Sequence, residues 1–287
     1  MNLSIPTPSL SSQSLTVSGL GIHLPDDTPL DAIRQAVLDH GVTLLQNVQF
    51  DESSFRQFVE SLGDKVSYSE NNAKVGYGFT DILNLDGTHD KEKVITGRGS
   101  LPLHTDGILL GTQVDLIILY AADVKNIDED GATVVCDQLA AWQDMPEPLR
   151  QPLLTGRLEY LACERGYFAT VPEDWYPIST FRDYGRIRSL NLALPFESQT
   201  KASWDVRVPG MSEKDSAAWF AALEQHLTAA PYLYCHRWSK GDLLIIDNQR
   251  TLHGRRGLRP DTCRKLLRGQ VTFDTVASAP GATLASA

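Results

Sequence analysis

From Val114 onward, short runs of β-branched and aliphatic residues alternate with loop-like stretches, and this pattern limits the folds open to the chain. Each run has the length and side-chain composition of a β-strand. The predicted strands are Val114–Tyr120, Ala132–Val135, Leu190–Leu194, Leu243–Ile246 and Leu266–Phe273. Because these strands are short, widely spaced and preceded by helical segments, the pattern predicts one α+β domain around a β-sandwich or β-barrel.

Helical segments precede the strands and interrupt them once. In the first two, a side chain that can accept a hydrogen bond from a first-turn amide stands before apolar residues at helical spacing. Helices are predicted over 29–40 after Thr28, from Asp51 to Gly63, and from Ser212 to about Leu227, and a strand over Val42–Leu45. Residues 1–19, rich in Ser, Thr and Pro, are expected to form a loosely ordered leader, and residues 20–280 a single domain.

Composition argues against several classes of function. The 287 residues include 26 Lys and Arg against 36 Asp and Glu, a formal net charge of −10. That charge disfavours broad nucleic-acid binding and adsorption to anionic lipid. No apolar run reaches the roughly 18 residues of a membrane helix, and no secretory signal is visible. The four cysteines lack CxxC spacing, so a reduced, cytoplasmic protein is expected.

A histidine and an aspartate two positions apart form the first candidate metal site. Residues i and i+2 of a strand project from the same face, so His104 and Asp106 can address one ion. His253 lies far along the chain beside another strand-like run. Two imidazoles and one carboxylate that leave positions open are the ligand set of non-haem Fe(II) oxygenases. A core or turn role for either histidine stays open at this stage.

Basic residues crowd the segment around the distal histidine, although the chain as a whole is acidic. Arg255, Arg256 and Arg259 are expected to form a solvated loop. Arg264 and Arg268 instead enter a strand-like run at a spacing of four, which places both on one face. A guanidinium offers a planar fork to a carboxylate, so each of these two arginines can hold one acid group.

Five short motifs, in this order, resemble those of the taurine dioxygenase-like Fe(II)/2-oxoglutarate-dependent oxygenases. They are His104-Thr-Asp, Asp130-Gly-Ala-Thr133, Leu139-Ala-Ala-Trp, Asp247-Asn248 followed by His253, and Arg264 with Arg268. The similarity covers roughly residues 95–275. Leu101–Gly107 and the stretch from Tyr234 to Arg255 further resemble the isonitrile-processing and amino-acid-modifying members of bacterial secondary metabolism.

The resemblance implies a double-stranded β-helix (jelly-roll) core with peripheral helices. It implies that His104, Asp106 and His253 form the catalytic centre as ligands of Fe(II). It also implies that 2-oxoglutarate and O2 are cosubstrates, with Arg264 and Thr133 holding the distal carboxylate of 2-oxoglutarate.

Four residues are candidates for contacts with the primary substrate. By the resemblance, Arg268 holds either the acid group of the primary substrate or the chelating end of 2-oxoglutarate. Many relatives carry an Asn just before the strand of His104, but the stretch Thr96–Leu103 has none; Arg98 in this stretch is either a substrate contact or an exposed loop residue. The large aromatic residues of the irregular stretch Tyr167–Tyr184, notably Trp175 and Tyr176, are candidates for a lid over the substrate, with plain packing as the alternative.

The predicted activity is hydroxylation or desaturation of a small acid, an amino acid or its derivative, either free or on a carrier. Desaturation of an isonitrile-type amino-acid derivative is a narrower alternative. Two hypotheses from other functional classes stay open here: a zinc hydrolase that uses the same triad, and a non-catalytic jelly-roll binding protein. The family often forms homo-oligomers, and the sequence does not choose an oligomeric state.

Overall fold

The aliphatic runs predicted as strands form the centre of the molecule. The computed structural model describes residues 15, 19–66, 82–87, 93–125, 127–197 and 201–273. The strands within these ranges are β1 (Ile22–Leu24), β2 (Val42–Leu45), β3 (Asp64–Lys65), β4 (Leu83–Leu85), β5 (Leu101–His104), β6 (Leu116–Lys125), β7 (Thr133–Asp137), β8 (Arg157–Ala162), β9 (Tyr176–Ser179), β10 (Phe181–Asp183), β11 (Arg188–Leu190), β12 (Trp204–Arg207), β13 (Leu233–His236), β14 (Leu243–Asp247), β15 (Thr251–Arg255) and β16 (Cys263–Thr272). The helices are α1 (Leu30–His40), α2 (Glu52–Leu62), α3 (Gln138–Gln143), α4 (Glu147–Leu154) and α5 (Glu213–Leu227).

The larger sheet has seven strands in the order β1-β2-β14-β6-β16-β3, and β4 also pairs with β16. Strand β14, in the middle of this sheet, begins with four apolar residues in a row, Leu243–Ile246. Leu243 and Ile245 pack in the same apolar cluster as α1 and α2, whereas Leu244 and Ile246 pack in a second cluster on the other face. Because both faces are buried, the strand has no solvent side that would call for polar residues.

The smaller sheet has four strands in the order β13-β7-β15-β5, and it faces the larger sheet. Val135 of β7 belongs to the same buried cluster as Ile117 of β6 and Leu266 of β16, so side chains of the two sheets meet in one core. Two further sheets, β12-β8-β9 and β10-β11, lie outside this pair. The fold is thus a mixture of helices and mainly antiparallel sheets, and its site lies between the two larger sheets.

The helix predictions are mostly confirmed, with one cap misplaced. Asp51 caps α2, because its side chain accepts a hydrogen bond from Ser54 N at 2.7 Å. Ser212 caps α5 in the same way. Thr28 does not cap α1: the helix begins at Leu30 after Pro29, and the Thr28 hydroxyl donates to Pro25 O instead. Proline at this place fixes the backbone that enters the helix, so no side-chain cap is needed.

Two other expectations meet the structure only in part. The strand predicted over Leu190–Leu194 is too long, because β11 ends at Leu190 and Ala193 forms only an isolated bridge with His104. Of the leader expected over residues 1–19, all but Leu15 and Gly19 lies outside the described residues. Among the described helices, none combines the length and the apolarity needed to cross a membrane.

Candidate active site

Two histidines and an aspartate meet where β5 and β15 run side by side. His104 pairs directly with His253 in this antiparallel ladder, and their ring centroids are 4.3 Å apart. Asp106 follows β5, and its Oδ1 lies 3.2 Å from His104 Nε2 and 3.7 Å from His253 Nε2. One ligand atom of each residue lies within 4.8 Å of the others, and all three residues are buried. The structure therefore brings the three predicted residues together.

The protonation states of this triad suit a metal ion. Burial, assisted by the neighbouring His104, lowers the pKa of His253 to about 3, so its ring is neutral at pH 7. Burial would raise the pKa of Asp106, but the attraction of Arg268 and the hydrogen bond with His104 outweigh it and hold that pKa below its usual range. The Nδ1 atom of His104 lies 2.8 Å from Pro102 O, which leaves Nε2 facing Asp106. Neutral imidazole and ionised carboxylate are the forms that ligate metals, so the donor set fits Fe(II).

A buried guanidinium and a hydroxyl line the same cavity. Arg264 is 1% exposed; its Nη1 donates to Gly131 O, and its Nε has no hydrogen-bond partner among the described residues. Burial lowers the pKa of Arg264, and other arginines nearby lower it further. The Thr133 Oγ1 accepts a hydrogen bond from Trp238 Nε1 at 3.1 Å, so its own proton remains available for donation. The pair thus offers a charge and several donors to an anion.

The triad, Arg264 and Thr133 line one cavity between the sheets, which opens to solvent and encloses about 780 Å³ when the space at its mouth is included. The part of its lining that belongs to the core between the two sheets comprises Leu85, Ile117, Leu119 and Leu266. The part that belongs to the apolar cluster around β8 and α5 comprises Ile95, Ile108, Leu109, Tyr167, Phe168 and Trp204. Arg268 also lines the cavity, and its Nη2 donates to the Tyr167 hydroxyl at 3.2 Å.

Comparison with known proteins gives the family. The model of the taurine catabolism dioxygenase TauD, TfdA family matches residues 7–270. The chain belongs to this family. It is 26% identical over 247 residues to an alpha-ketoglutarate-dependent sulfate ester dioxygenase of Pseudomonas putida, covering 79% of this chain and 75% of the relative. It is 30% identical over 216 residues to an alpha-ketoglutarate-dependent 2,4-dichlorophenoxyacetate dioxygenase of Cupriavidus pinatubonensis, covering 68% and 70%.

A solved structure shares the fold of this TauD/TfdA-family protein. PvcB, described as an Fe, alpha-ketoglutarate dependent oxygenase from an isonitrile synthetic pathway, has a TM-score of 0.65 and 19% identity, covering 88% of this chain and 86% of that chain. The family uses Fe(II), 2-oxoglutarate and O2. The protein is therefore a non-haem Fe(II)/2-oxoglutarate-dependent dioxygenase, and the hydrolase and binding-protein readings lose their support.

The expectation of a solvated basic loop is wrong for Arg255. This residue of β15 is buried, and its guanidinium donates to Gly99 O at 2.7 Å, Ile95 O at 2.8 Å and Val94 O at 3.1 Å. A buried guanidinium needs acceptors for its donors, and this loop supplies carbonyl oxygens. Arg255 thus holds the 94–99 segment beside the cavity.

The other two arginines of that group are exposed, as expected. Arg256 Nη1 contacts the Glu129 carboxylate, and Arg259 Nε lies 2.9 Å from Asp130 Oδ2. Exposed pairs of this kind contribute little to stability.

The residues predicted on the substrate side occupy three different places. Arg98 does not line the cavity: its guanidinium donates to the carbonyl oxygens of nearby loops, among them Thr262 O at 2.7 Å. Trp175 lies under Arg207, whose Cζ is 4.2 Å from the ring centroid, and it does not line the cavity either. The Tyr176 hydroxyl donates to Leu109 O at 3.1 Å, so Tyr176 supports a residue of the cavity wall.

Several residues contact the triad or the cavity without having been predicted to do so. Tyr167 and Phe168 lie in the same aromatic stretch as the predicted lid, and they line the cavity in place of Trp175. The side chain of Asn248, which follows Asp247 in one of the five motifs, accepts a hydrogen bond from Asp106 N at 2.9 Å and donates one to Asp106 O at 3.2 Å. Gln270 Nε2 donates to Asp106 Oδ2. Strand periodicity could have predicted the place of Gln270, because it lies two positions after Arg268 and therefore on the same face of the strand.

Proposed function

We propose that this dioxygenase hydroxylates or desaturates a small acid, an amino acid or its derivative, in secondary metabolism. The observation that carries the proposal is the convergence of three metal-ligating side chains with a buried guanidinium that lacks a carboxylate partner among the described residues, all on one cavity. The triad at one end of this cavity can hold a metal, and Arg264 at the other end can hold a carboxylate. 2-Oxoglutarate needs both, because it chelates iron through its keto acid group and has a second carboxylate at its far end.

In this proposal, His104, Asp106 and His253 would hold the iron through one ligand atom each. When bound, iron with 2-oxoglutarate and O2 supplies the oxidising chemistry that cleaves an unactivated C–H bond. The protein's part is to position the reactants and exclude water from the centre. The backbone of Asp106 is fixed at both N and O by the Asn248 side chain, which limits movement of the ligand.

Arg264 and Thr133 would bind the distal carboxylate of 2-oxoglutarate. The guanidinium is buried and positively charged, and an incoming carboxylate would compensate the cost of that burial. The Thr133 hydroxyl adds a directed donor, because its acceptor site is already used by Trp238. The aliphatic lining residues, such as Leu119 and Leu266, would enclose the methylene carbons of the cosubstrate.

The second apolar part of the cavity would receive the primary substrate. Ile108, Leu109, Phe168 and Trp204 form an apolar surface, so the part of the substrate that bears the reactive C–H bond is expected to be apolar. Arg268 can bind an acid group, either that of the substrate or the C1 carboxylate of 2-oxoglutarate. The relatives described above are enzymes of small molecules. A tyrosine isonitrile desaturase of Pseudomonas aeruginosa, 22% identical over 253 residues, supports desaturation of an isonitrile-type amino-acid derivative as a second candidate.

We also propose that the two facing sheets form a double-stranded β-helix within a single domain over residues 20–280. Their mainly antiparallel ladders and the shared core between them support this architecture. A cytoplasmic location is proposed from the four cysteines, all of which are free thiols.

Turnover of a substrate panel tests the proposed function. The protein is incubated with Fe(II), 2-oxoglutarate, O2 and free amino acids, their N-isonitrile derivatives or carrier-bound forms, and the products are analysed by mass spectrometry. The proposal predicts succinate formation coupled to a gain of one oxygen or a loss of two hydrogens in one class of the panel. Absence of succinate under all conditions would contradict it.

A further inference from the structure

The two oxygens of the Asp106 carboxylate have different surroundings. Oδ1 faces the histidine nitrogens, 3.2 Å from His104 Nε2 and 3.7 Å from His253 Nε2. Oδ2 points to the other side, where it accepts a hydrogen bond from Gln270 Nε2 and lies 3.6 Å from Arg268 Nη1. One oxygen of the carboxylate is therefore directed toward the histidines, and the other is held by the hydrogen bond from Gln270.

Strand β16 explains how these donors reach the carboxylate. Arg264, Leu266, Arg268 and Gln270 alternate along the strand, so all four project toward the space between the sheets. Gln270 is 5% exposed, and its backbone carbonyl accepts from Val66 N at 3.0 Å, which anchors its position in the strand. A buried amide that donates to an ionised carboxylate makes one of the stronger hydrogen bonds in proteins.

We propose that Gln270 is a positioning residue that keeps Asp106 a ligand through one oxygen only, and so keeps one coordination position of the iron open. The proposal rests on the proposed function, because it concerns the iron that the triad would hold. An iron with six coordination positions would keep three of them open if each residue of the triad gave one ligand atom. The chelating oxygens of 2-oxoglutarate would take two of those three, and one would remain. If Oδ2 also bound the metal, no position would remain once 2-oxoglutarate was present.

The test uses nitric oxide as a probe of the open position. Wild-type protein and Gln270→Met are loaded anaerobically with Fe(II), with and without 2-oxoglutarate, and titrated with nitric oxide while the electron paramagnetic resonance signal of the iron–nitrosyl is recorded. For Gln270→Met, we expect the apparent affinity for nitric oxide to fall about tenfold or more in the presence of 2-oxoglutarate, the size of effect typical of residues that orient metal ligands. Without 2-oxoglutarate, spare positions remain even for a two-oxygen ligand, so binding should match the wild type.

Two further variants separate positioning from general damage. Val271→Ala removes side-chain atoms from the other face of the same strand, where Val271 is fully buried, and should leave both nitric oxide titrations unchanged. Gln270→Asn keeps an amide but withdraws it by one carbon, and should lose affinity in the same direction as Gln270→Met; it also serves if the Met variant does not fold.

Two results would overturn the inference. One is wild-type affinity for nitric oxide in both Gln270 variants with 2-oxoglutarate bound; the other is an equal loss with and without 2-oxoglutarate, which would make Gln270 a general support of the metal site. Failure of the wild-type protein to bind Fe(II) or 2-oxoglutarate would instead contradict the proposed function itself.

Discussion

Replacing Arg264 by methionine should separate ligand binding from folding. The guanidinium is 1% exposed, with one hydrogen bond to Gly131 O and no carboxylate partner among the described residues. The site therefore contains a buried charge that the carboxylate of 2-oxoglutarate would compensate. Met has a similar length and no charge, so Arg264→Met removes the group that would bind 2-oxoglutarate without opening a large cavity.

The expected magnitudes follow from these contacts. Loss of one partner of a buried ion pair costs about 3–5 kcal/mol, which corresponds to roughly 100- to 4,000-fold weaker binding of 2-oxoglutarate. Stability should change little, because removing an uncompensated buried charge gains about 1–4 kcal/mol. The unsatisfied Gly131 carbonyl costs about 1–3 kcal/mol. The free energy of unfolding is thus expected to lie between about 2 kcal/mol below and about 3 kcal/mol above that of the wild type.

Calorimetric titration of 2-oxoglutarate into Mn(II)-loaded protein measures the affinity, and urea unfolding of the metal-free protein measures stability.

Arg255→Met is the matched control, because Arg255 is also a buried cavity arginine, but it donates to three backbone carbonyls. It should lose about 3 kcal/mol or more of stability and keep its affinity within roughly fivefold. Normal 2-oxoglutarate affinity of Arg264→Met combined with a large loss of stability would refute the reasoning, because Arg264 would then be a structural residue.

Three further predictions concern the metal site and its supports. His253→Ala should weaken Mn(II) binding by about a hundredfold or more, measured from the signal of free Mn(II) in electron paramagnetic resonance; retained affinity would exclude His253 as a ligand. Trp238→Phe removes the donor to Thr133 and should weaken 2-oxoglutarate binding about fivefold, the value of one hydrogen bond, with unchanged Mn(II) affinity as the internal control. Asn248→Leu removes the hydrogen bonds that fix the Asp106 backbone and should lower the free energy of unfolding by about 2–4 kcal/mol; an unchanged urea midpoint would contradict this.

Much of the sheet and the metal triad could be predicted from the sequence, because both depend on short-range periodicity. The aliphatic run of β14 and the i, i+2 spacing of His104 and Asp106 carry their meaning within a few residues. Short-range periodicity could not place His253 beside them, because pairing between β5 and β15 is a long-range property of the fold; its basic neighbourhood and the family resemblance singled it out.

The sequence does not show where a side chain lies when the residues that it contacts are far away in the sequence. The basic segment predicts Arg255 in a solvated loop, but its guanidinium donates to backbone carbonyls of the 94–99 segment. Contacts with backbone carbonyls leave no pattern in the side chains of the sequence. For Trp175 the sequence leaves two alternatives open, a lid or plain packing; its ring packs on Arg207, while Tyr167 and Phe168 line the cavity. Side-chain chemistry indicated that aromatic residues matter in this stretch, but tertiary packing decides which of them reach the cavity.

The most direct test of the central claim is an anaerobic absorption titration of the protein with Fe(II) and 2-oxoglutarate. If the triad and the Arg264 pocket bind the two together, a weak visible charge-transfer band should appear only when both are present, and Arg264→Met should require a far higher 2-oxoglutarate concentration to reach the same intensity. A wild-type protein that binds Fe(II) yet shows no such band at saturating 2-oxoglutarate would contradict the account.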